Sequence, residues 1–184
     1  PCTYDNDIEK IAEVDWVLEA VVERLDIKEQ VYNNLLPHLK DTAILTSNTS
    51  GIPLTDLTSS LSDGVKQRFM ITHFFNPPRY MQLLELVRGE QTSDETYKTM
   101  VEFGESVLGK GIVHAKDTPN FIGNRIGVYG MMATMNLAIK QGLTIEEVDK
   151  LTGPISGRPK SATFRTADVV GLDTMRHVSK TTYE

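Results

Sequence analysis

The chain is predicted to fold as a doubly wound α/β sheet followed by an all-helical segment. Two observations lead there. Short apolar runs alternate with amphipathic stretches as far as His114, and strand signals then stop at Asp117, beyond which the pattern is helical. A third observation, 40% hydrophobic and 24% charged residues in 184, is the balance of a globular protein rather than a disordered or fibrous one.

Taken in order, Asp15 to Val22 is an apolar run suited to a strand buried on both faces. Asp26 precedes a helix with Glu29 three residues on, and Ile27, Val31, Leu35 and Leu39 fall at four-residue spacing on one face, with Pro37 expected to kink the helix or end it early. Ala43 to Thr46 is the next strand, which makes a βαβ unit with parallel strands. Arg68 to His73 and Met81 to Val87 are two more, divided by Asn76-Pro77-Pro78. Thr92 and Glu95 form a capping-box pattern for a helix that carries Tyr97, Met100, Val101, Val107 and Leu108. Gly109 and Gly111 close it, and Ile112 to His114 is the last strand. The boundary falls here, with residues 1–116 as the sheet domain and 117–184 as the helical one. Thr118 and Pro119 open a long helix to Gly142, Thr144 and Glu147 cap another to Gly153, and two more follow over Ser161 to Val170 and from Asp173.

Composition bounds the partners. Nineteen Lys and Arg against 25 Asp and Glu give a net charge of −6, a field that repels nucleic acid and anionic lipid. The single cysteine, Cys2, allows no internal disulfide and suits a reducing, cytoplasmic setting. No apolar run approaches the roughly 18 residues of a membrane span. The chain opens Pro1-Cys2-Thr3 and stops at Glu184 within a helical pattern, so it is expected to be a segment of a longer polypeptide.

Of the four histidines, His38, His114 and His177 have no chemical context. His73 does. It ends a strand in Thr72-His73-Phe74-Phe75-Asn76-Pro77, at the sheet edge where ligands of open α/β sheets bind, and Phe74 and Phe75 can shield its ring. Glu85 lies within Leu83-Leu84-Glu85-Leu86-Val87, and a carboxylate among aliphatics needs a partner. Either His73 supplies it, as a proton-transfer dyad, or Arg88 does, as a structural pair. Thr46 to Gly51 follows another strand as a polar turn, or as a set of donors facing a ligand. Asn124 sits in the second turn of the long helix, facing either a cleft or a neighbouring helix. No G-x-G-x-x-G, phosphate loop or metal-ligand spacing occurs.

Asn48-Thr49-Ser50, His73-Phe74-Phe75-Asn76-Pro77, Leu84-Glu85-Leu86-Val87 and Asp117-Thr118-Pro119 through Asn124-Arg125 occur in the order seen in the 3-hydroxyacyl-CoA dehydrogenase family, which the chain resembles over nearly its whole length. Gly157-Arg158-Pro159-Lys160 and Asp168 to Asp173 resemble the helical domain of its longer bacterial members, which also carry an enoyl-CoA hydratase-like region. The resemblance implies a Rossmann-like sheet lacking its first strands, with the glycine-rich loop and ribose-reading acid lying before Asp15. It implies NAD as cofactor and the oxidation of a 3-hydroxyacyl-CoA to the 3-ketoacyl-CoA in fatty acid β-oxidation, with the segment alone inactive. It assigns His73 as general base, Glu85 as its partner, and Ser50 and Asn124 to the substrate oxygen. Glu23, Lys28, Ser50 and Asn76 match positions that line the dinucleotide. A homo-oligomer, or a part of a larger multifunctional chain, is the expected assembly. The readings set against it are a non-enzymatic dimerisation or scaffold module and a dehydrogenase of a hydroxy acid without CoA.

Overall fold

The computed structural model describes residues 7–183, and their side chains apart from residue 177 and residues 180–183. Cys2 and the His177 side chain therefore lie outside the described residues. Two compact units divide the chain, residues 1–121 and 122–184.

In the first unit a 3-10 turn (Ile8–Glu13) leads into β1 (Trp16–Glu19), α1 (Leu25–Leu35), β2 (Ile44–Ser47), α2 (Leu54–Leu57), α3 (Asp63–Lys66), β3 (Phe69–Phe74), β4 (Leu83–Arg88), α4 (Asp94–Ser106) and β5 (Gly111–Ala115). The strands form one Rossmann-like sheet in chain order, β1-β2-β3-β4-β5. β1, β2 and β3 are mutually parallel, while β4 is antiparallel to β3 and parallel to β5. The reversal has a simple cause. No helix separates β3 from β4, and a parallel pair requires a crossover.

Period-two alternation divides the sheet between two cores. Leu45, Phe69, Ile71 and Val87 face α1 and α2 with Tyr32, Leu35, Leu54 and Leu57. Ile44, Met70, Leu84 and Leu86 face α4 with Met100, Trp16 and Phe103. Helices thus cover both faces, which makes the unit doubly wound. Glu19 pairs with Ser47, Ser47 with Ile71, and His73 with Glu85, so all four polar residues share the face that α1 and α2 cover.

Several boundaries differ from the sequence reading. β1 is shorter than Asp15 to Val22 and is not buried on both faces. The cover ends where Trp16 meets Phe103 edge-on at 5.3 Å, and Leu18, Val21 and Val22 are exposed. α1 begins one residue before Asp26, which pairs with Arg24 at 2.5 Å instead of capping. Its buried residues are Lys28, Tyr32 and Leu35, one position round from the face that Ile27 and Val31 define. The cap of α4 is Ser93, whose Oγ accepts from Thr96 N at 3.1 Å. Thr92 instead donates to the Phe69 carbonyl at 2.7 Å and accepts from Gly89 N at 2.9 Å.

Residues 117–121 group with the sheet rather than with the helices. Asp117 accepts from Leu54 N and Thr55 N at 2.9 and 3.3 Å, capping α2. Asn120 and Phe121 adopt φ of 61° and 45°, values no right-handed helix can include. The long helix therefore starts not at Pro119 but at Gly123.

The second unit contains no strand among its described residues. It contains α5 (Gly123–Gln141), α6 (Ile145–Thr152), a 3-10 turn (Pro154–Ser156), α7 (Phe164–Val170) and α8 (Leu172–Tyr183). Gly142 ends α5 at φ 65°, a left-handed position suited to glycine. The Thr144 and Glu147 capping box is complete, each side chain accepting from the other's backbone N–H. Asp149 accepts from the N–H groups of Thr163, Phe164 and Arg165 at 2.7–3.1 Å, which caps α7 from outside that helix. Ile126, Tyr129, Leu137 and Ile139 on α5 are exposed. No described helix is long and apolar enough to cross a membrane.

Candidate active site

His73 and Glu85 are direct cross-strand neighbours on β3 and β4. Such neighbours have side chains on one face within contact reach, and here Nδ1 and Oε2 lie 2.8 Å apart. An ionised carboxylate only accepts, so Nδ1 donates to it, and Nε2 is left as the nitrogen that can exchange a proton. Both residues are buried, Glu85 completely. Phe75 and Phe121 flank the imidazole at 4.6 and 5.5 Å between ring centroids. Phe74 does not shield it. One residue along the strand, it faces the other core, beneath the Lys110 ammonium. Arg88 is not the partner of Glu85 either. Three residues on in a strand it points to the opposite face, where it meets Asp94 and the Thr92 carbonyl, each at 2.8 Å.

The turn after β2 is tied down residue by residue. Thr46 bonds Trp16 and Thr72, and Ser47 donates to Glu19 at 2.6 Å. Asn48 Oδ1 accepts from Phe74 N at 2.9 Å, fastening the turn to the end of β3. Glu23 Oε1 accepts from Thr49 Oγ1, Ser50 N and Gly51 N at 2.6, 2.9 and 2.9 Å. Partial burial acts to raise the Glu23 pKa. The Thr49 hydroxyl, the Gly51 and Ser50 N–H groups and the Lys28 charge outweigh it and hold Glu23 below the ordinary carboxylate range. The hydroxyl of Ser50 itself has no partner among the described residues and remains available to a ligand.

Beneath this turn lies a group that sequence reasoning missed. Glu19, fully buried at the end of β1, accepts from Lys28 Nζ, Val21 N, Tyr32 Oη and Ser47 Oγ at 2.6–2.9 Å. Burial and the Glu19 charge push the Tyr32 phenol well above its ordinary pKa, so it stays protonated and donating. Lys28 Nζ also reaches Glu23 Oε2 at 3.3 Å and the Val21 carbonyl at 3.4 Å. A signal was present: Glu19 lies within Trp16-Val17-Leu18-Glu19-Ala20-Val21, a carboxylate in an apolar run like Glu85.

Asn76 is exposed in the loop between β3 and β4, which Lys110 holds through the Pro78 and Met81 carbonyls. Asn124 belongs to the other compact unit and sits in the first, not the second, turn of α5. His114, read as lacking context, meets the Tyr97 hydroxyl at 2.6 Å. Among the described residues no group of three or more His, Cys, Asp or Glu is placed to hold a metal ion.

The residues present fit a dinucleotide. Ser50 and Asn76 follow the neighbouring parallel strands β2 and β3, beyond whose carboxyl ends such ligands bind, and the dyad lies beside them.

Comparison with known proteins shows the family. The family description "3-hydroxyacyl-CoA dehydrogenase, NAD binding domain" matches residues 1–118, and "3-hydroxyacyl-CoA dehydrogenase, C-terminal domain" matches residues 121–184. A Bacillus subtilis protein named probable 3-hydroxyacyl-CoA dehydrogenase is 50% identical over 184 residues, which are 100% of this chain and 23% of that protein. A Deinococcus radiodurans protein of the same name is 49% identical over 175 residues, 95% of this chain and 51% of its own length. The chain thus spans about a quarter of one relative and half of the other. The crystal structure of (S)-3-hydroxybutyryl-CoA dehydrogenase PaaH1 from Ralstonia eutropha superposes with a TM-score of 0.86 at 31% identity, covering 97% of this chain and 62% of that one.

Proposed function

Because the chain belongs to the 3-hydroxyacyl-CoA dehydrogenase family, we propose that it carries the proton-transfer site of an NAD-dependent oxidation of 3-hydroxyacyl-CoA to 3-ketoacyl-CoA, as in fatty acid β-oxidation. The observation that carries this reading is the buried His73–Glu85 pair. Hydride acceptance is the chemistry that NAD supplies when bound. The protein manages the proton. His73 Nε2 takes it from the 3-hydroxyl as the hydride leaves the same carbon, and the oxygen becomes the ketone. Glu85 keeps the ring in the tautomer with Nδ1–H and stabilises the imidazolium that forms. Phe75 and Phe121 keep bulk water from that proton.

The Ser50 hydroxyl donates to the substrate oxygen, and Asn124 carries the substrate-binding role that the family resemblance implies for it. Glu23, Lys28, Ser50 and Asn76 line the cofactor. The reading includes a cytoplasmic setting, and assembly as a homo-oligomer or within a larger multifunctional chain. The exposed apolar residues of α5 support burial against a partner.

The test uses the complete enzyme. His73→Gln is expected to lower kcat by roughly 10²–10⁴-fold with NADH affinity nearly unchanged. Glu85→Gln should also lower kcat, and the double variant should be little worse than His73→Gln, since both act on one proton. Full activity in either single variant, or multiplied losses in the double, would return the pair to a structural role.

A further inference from the structure

The buried group beneath the Ser50 turn has no place in the proton transfer, yet it ends on that turn. Lys28 is 1% exposed, and its ammonium is surrounded by Glu19 Oε1, Glu23 Oε2 and the Val21 carbonyl. An ammonium has three protons, and three protein acceptors stand around this one. Two carboxylates therefore share one buried cation. The inner one, Glu19, is held by four donors. The outer one, Glu23, is partly exposed and spends its other oxygen on Thr49 Oγ1, Ser50 N and Gly51 N.

A purely structural role accounts poorly for this. Replacing a buried ion pair by apolar residues is often neutral or stabilising, so such a group gives little stability for its desolvation. What it does supply is position. The cation cannot follow Glu23 outward while Glu19 holds it, and Glu23 cannot swing away from the turn without abandoning the cation. We propose that Glu19 is a positioning residue for the cofactor site: through Lys28 it fixes Glu23, and Glu23 sets the Ser50 and Gly51 backbone at the turn where the cofactor is proposed to bind. Lys28 acts as the buried counter-charge between the two carboxylates.

The inference rests on the cofactor reading above, and two measurements separate the two. The first needs no cofactor. In the complete enzyme without NADH, amide hydrogen exchange at Ser50 and Gly51 is expected to quicken in Glu19→Gln, although the path through Lys28 and Glu23 is three contacts long. Unchanged exchange at both amides would overturn the proposal. The second is a double-mutant cycle on the NADH dissociation constant, read by fluorescence titration, with Glu19→Gln, Glu23→Gln and the pair. Each single variant should weaken NADH roughly tenfold, and the double variant should be no weaker than Glu23→Gln alone. Independent, multiplying losses, or a Glu19→Gln enzyme with full affinity, would leave Glu19 a structural residue. A wild-type enzyme that binds no NADH would sink the cofactor reading, and the exchange comparison would still decide whether the brace exists. Should Glu19→Gln fail to fold, Tyr32→Phe takes its place. It removes one donor from Glu19 and keeps the charge, and faster exchange at the same two amides is again the expected result, with unchanged exchange counting against the proposal.

Discussion

Glu23 is held by unlike partners: a cation below it and backbone N–H groups beside it. Its pKa is lowered from the ordinary 4.5, so the folded state favours its ionised form. Its stabilising contribution is therefore complete above the ordinary value and is lost as pH falls through the lowered one. Urea midpoints of the wild type and Glu23→Gln should differ at pH 7 and converge once the medium is well below pH 4.5. A constant difference across that range would mean that Glu23 acts by shape alone. The same kind of residue marks the limit of sequence reading here. Glu85 was recognisable as a buried carboxylate seeking a partner, because a histidine stood at a strand end near it. Glu19 sits in a similar apolar run, but its partners Lys28 and Tyr32 come from a helix whose inward face is turned by one position from the aliphatic stripe. A lysine at 1% exposure is against every compositional expectation, and only the fold reveals the carboxylates that make it tolerable.

Elements were legible where their signals are local. The capping box of α6, the left-handed Gly142 and the end of α1 before Pro37 all stand where the residues place them. Caps supplied from a distance were not. Asp117 reaches α2 and Asp149 reaches α7 across gaps in sequence that no spacing rule spans. Asp149→Ala strips three N–H groups of their acceptor and should cost about 1–3 kcal/mol, more than the roughly 1 kcal/mol of an ordinary cap such as Thr144→Ala. Thermal melts of the two variants decide it. A second pair tests the cap of α4. Ser93→Ala should cost about 1 kcal/mol as a lost cap. Thr92→Val should cost more, because it leaves the Phe69 carbonyl and Gly89 N–H without the hydroxyl between them. If Ser93→Ala proves neutral, the capping box expected from Thr92 and Glu95 is the better description.

At the scale of the molecule, the doubly wound sheet and the helical segment were evident from periodicity, while the direction of β4 and the entry to α5 depended on the chain between elements. The sheet separates two cores, one with Leu57 at 0% exposure and one with Met100 at 2%. Leu57→Ala and Met100→Ala should each cost about 2–5 kcal/mol. They belong to different clusters, so the double variant should lose the sum within about 0.5 kcal/mol in urea unfolding. A large departure would mean that the sheet transmits packing strain from face to face. The antiparallel turn of β4 carries one more consequence. His73 meets Glu85 in one alignment of those two strands, and a slip of a single residue would send the carboxylate to the far side of the sheet. On the proton-transfer role proposed for the pair, a misaligned hairpin is silent, and the activity that the complete enzyme recovers after refolding counts the molecules that have zipped in the native frame.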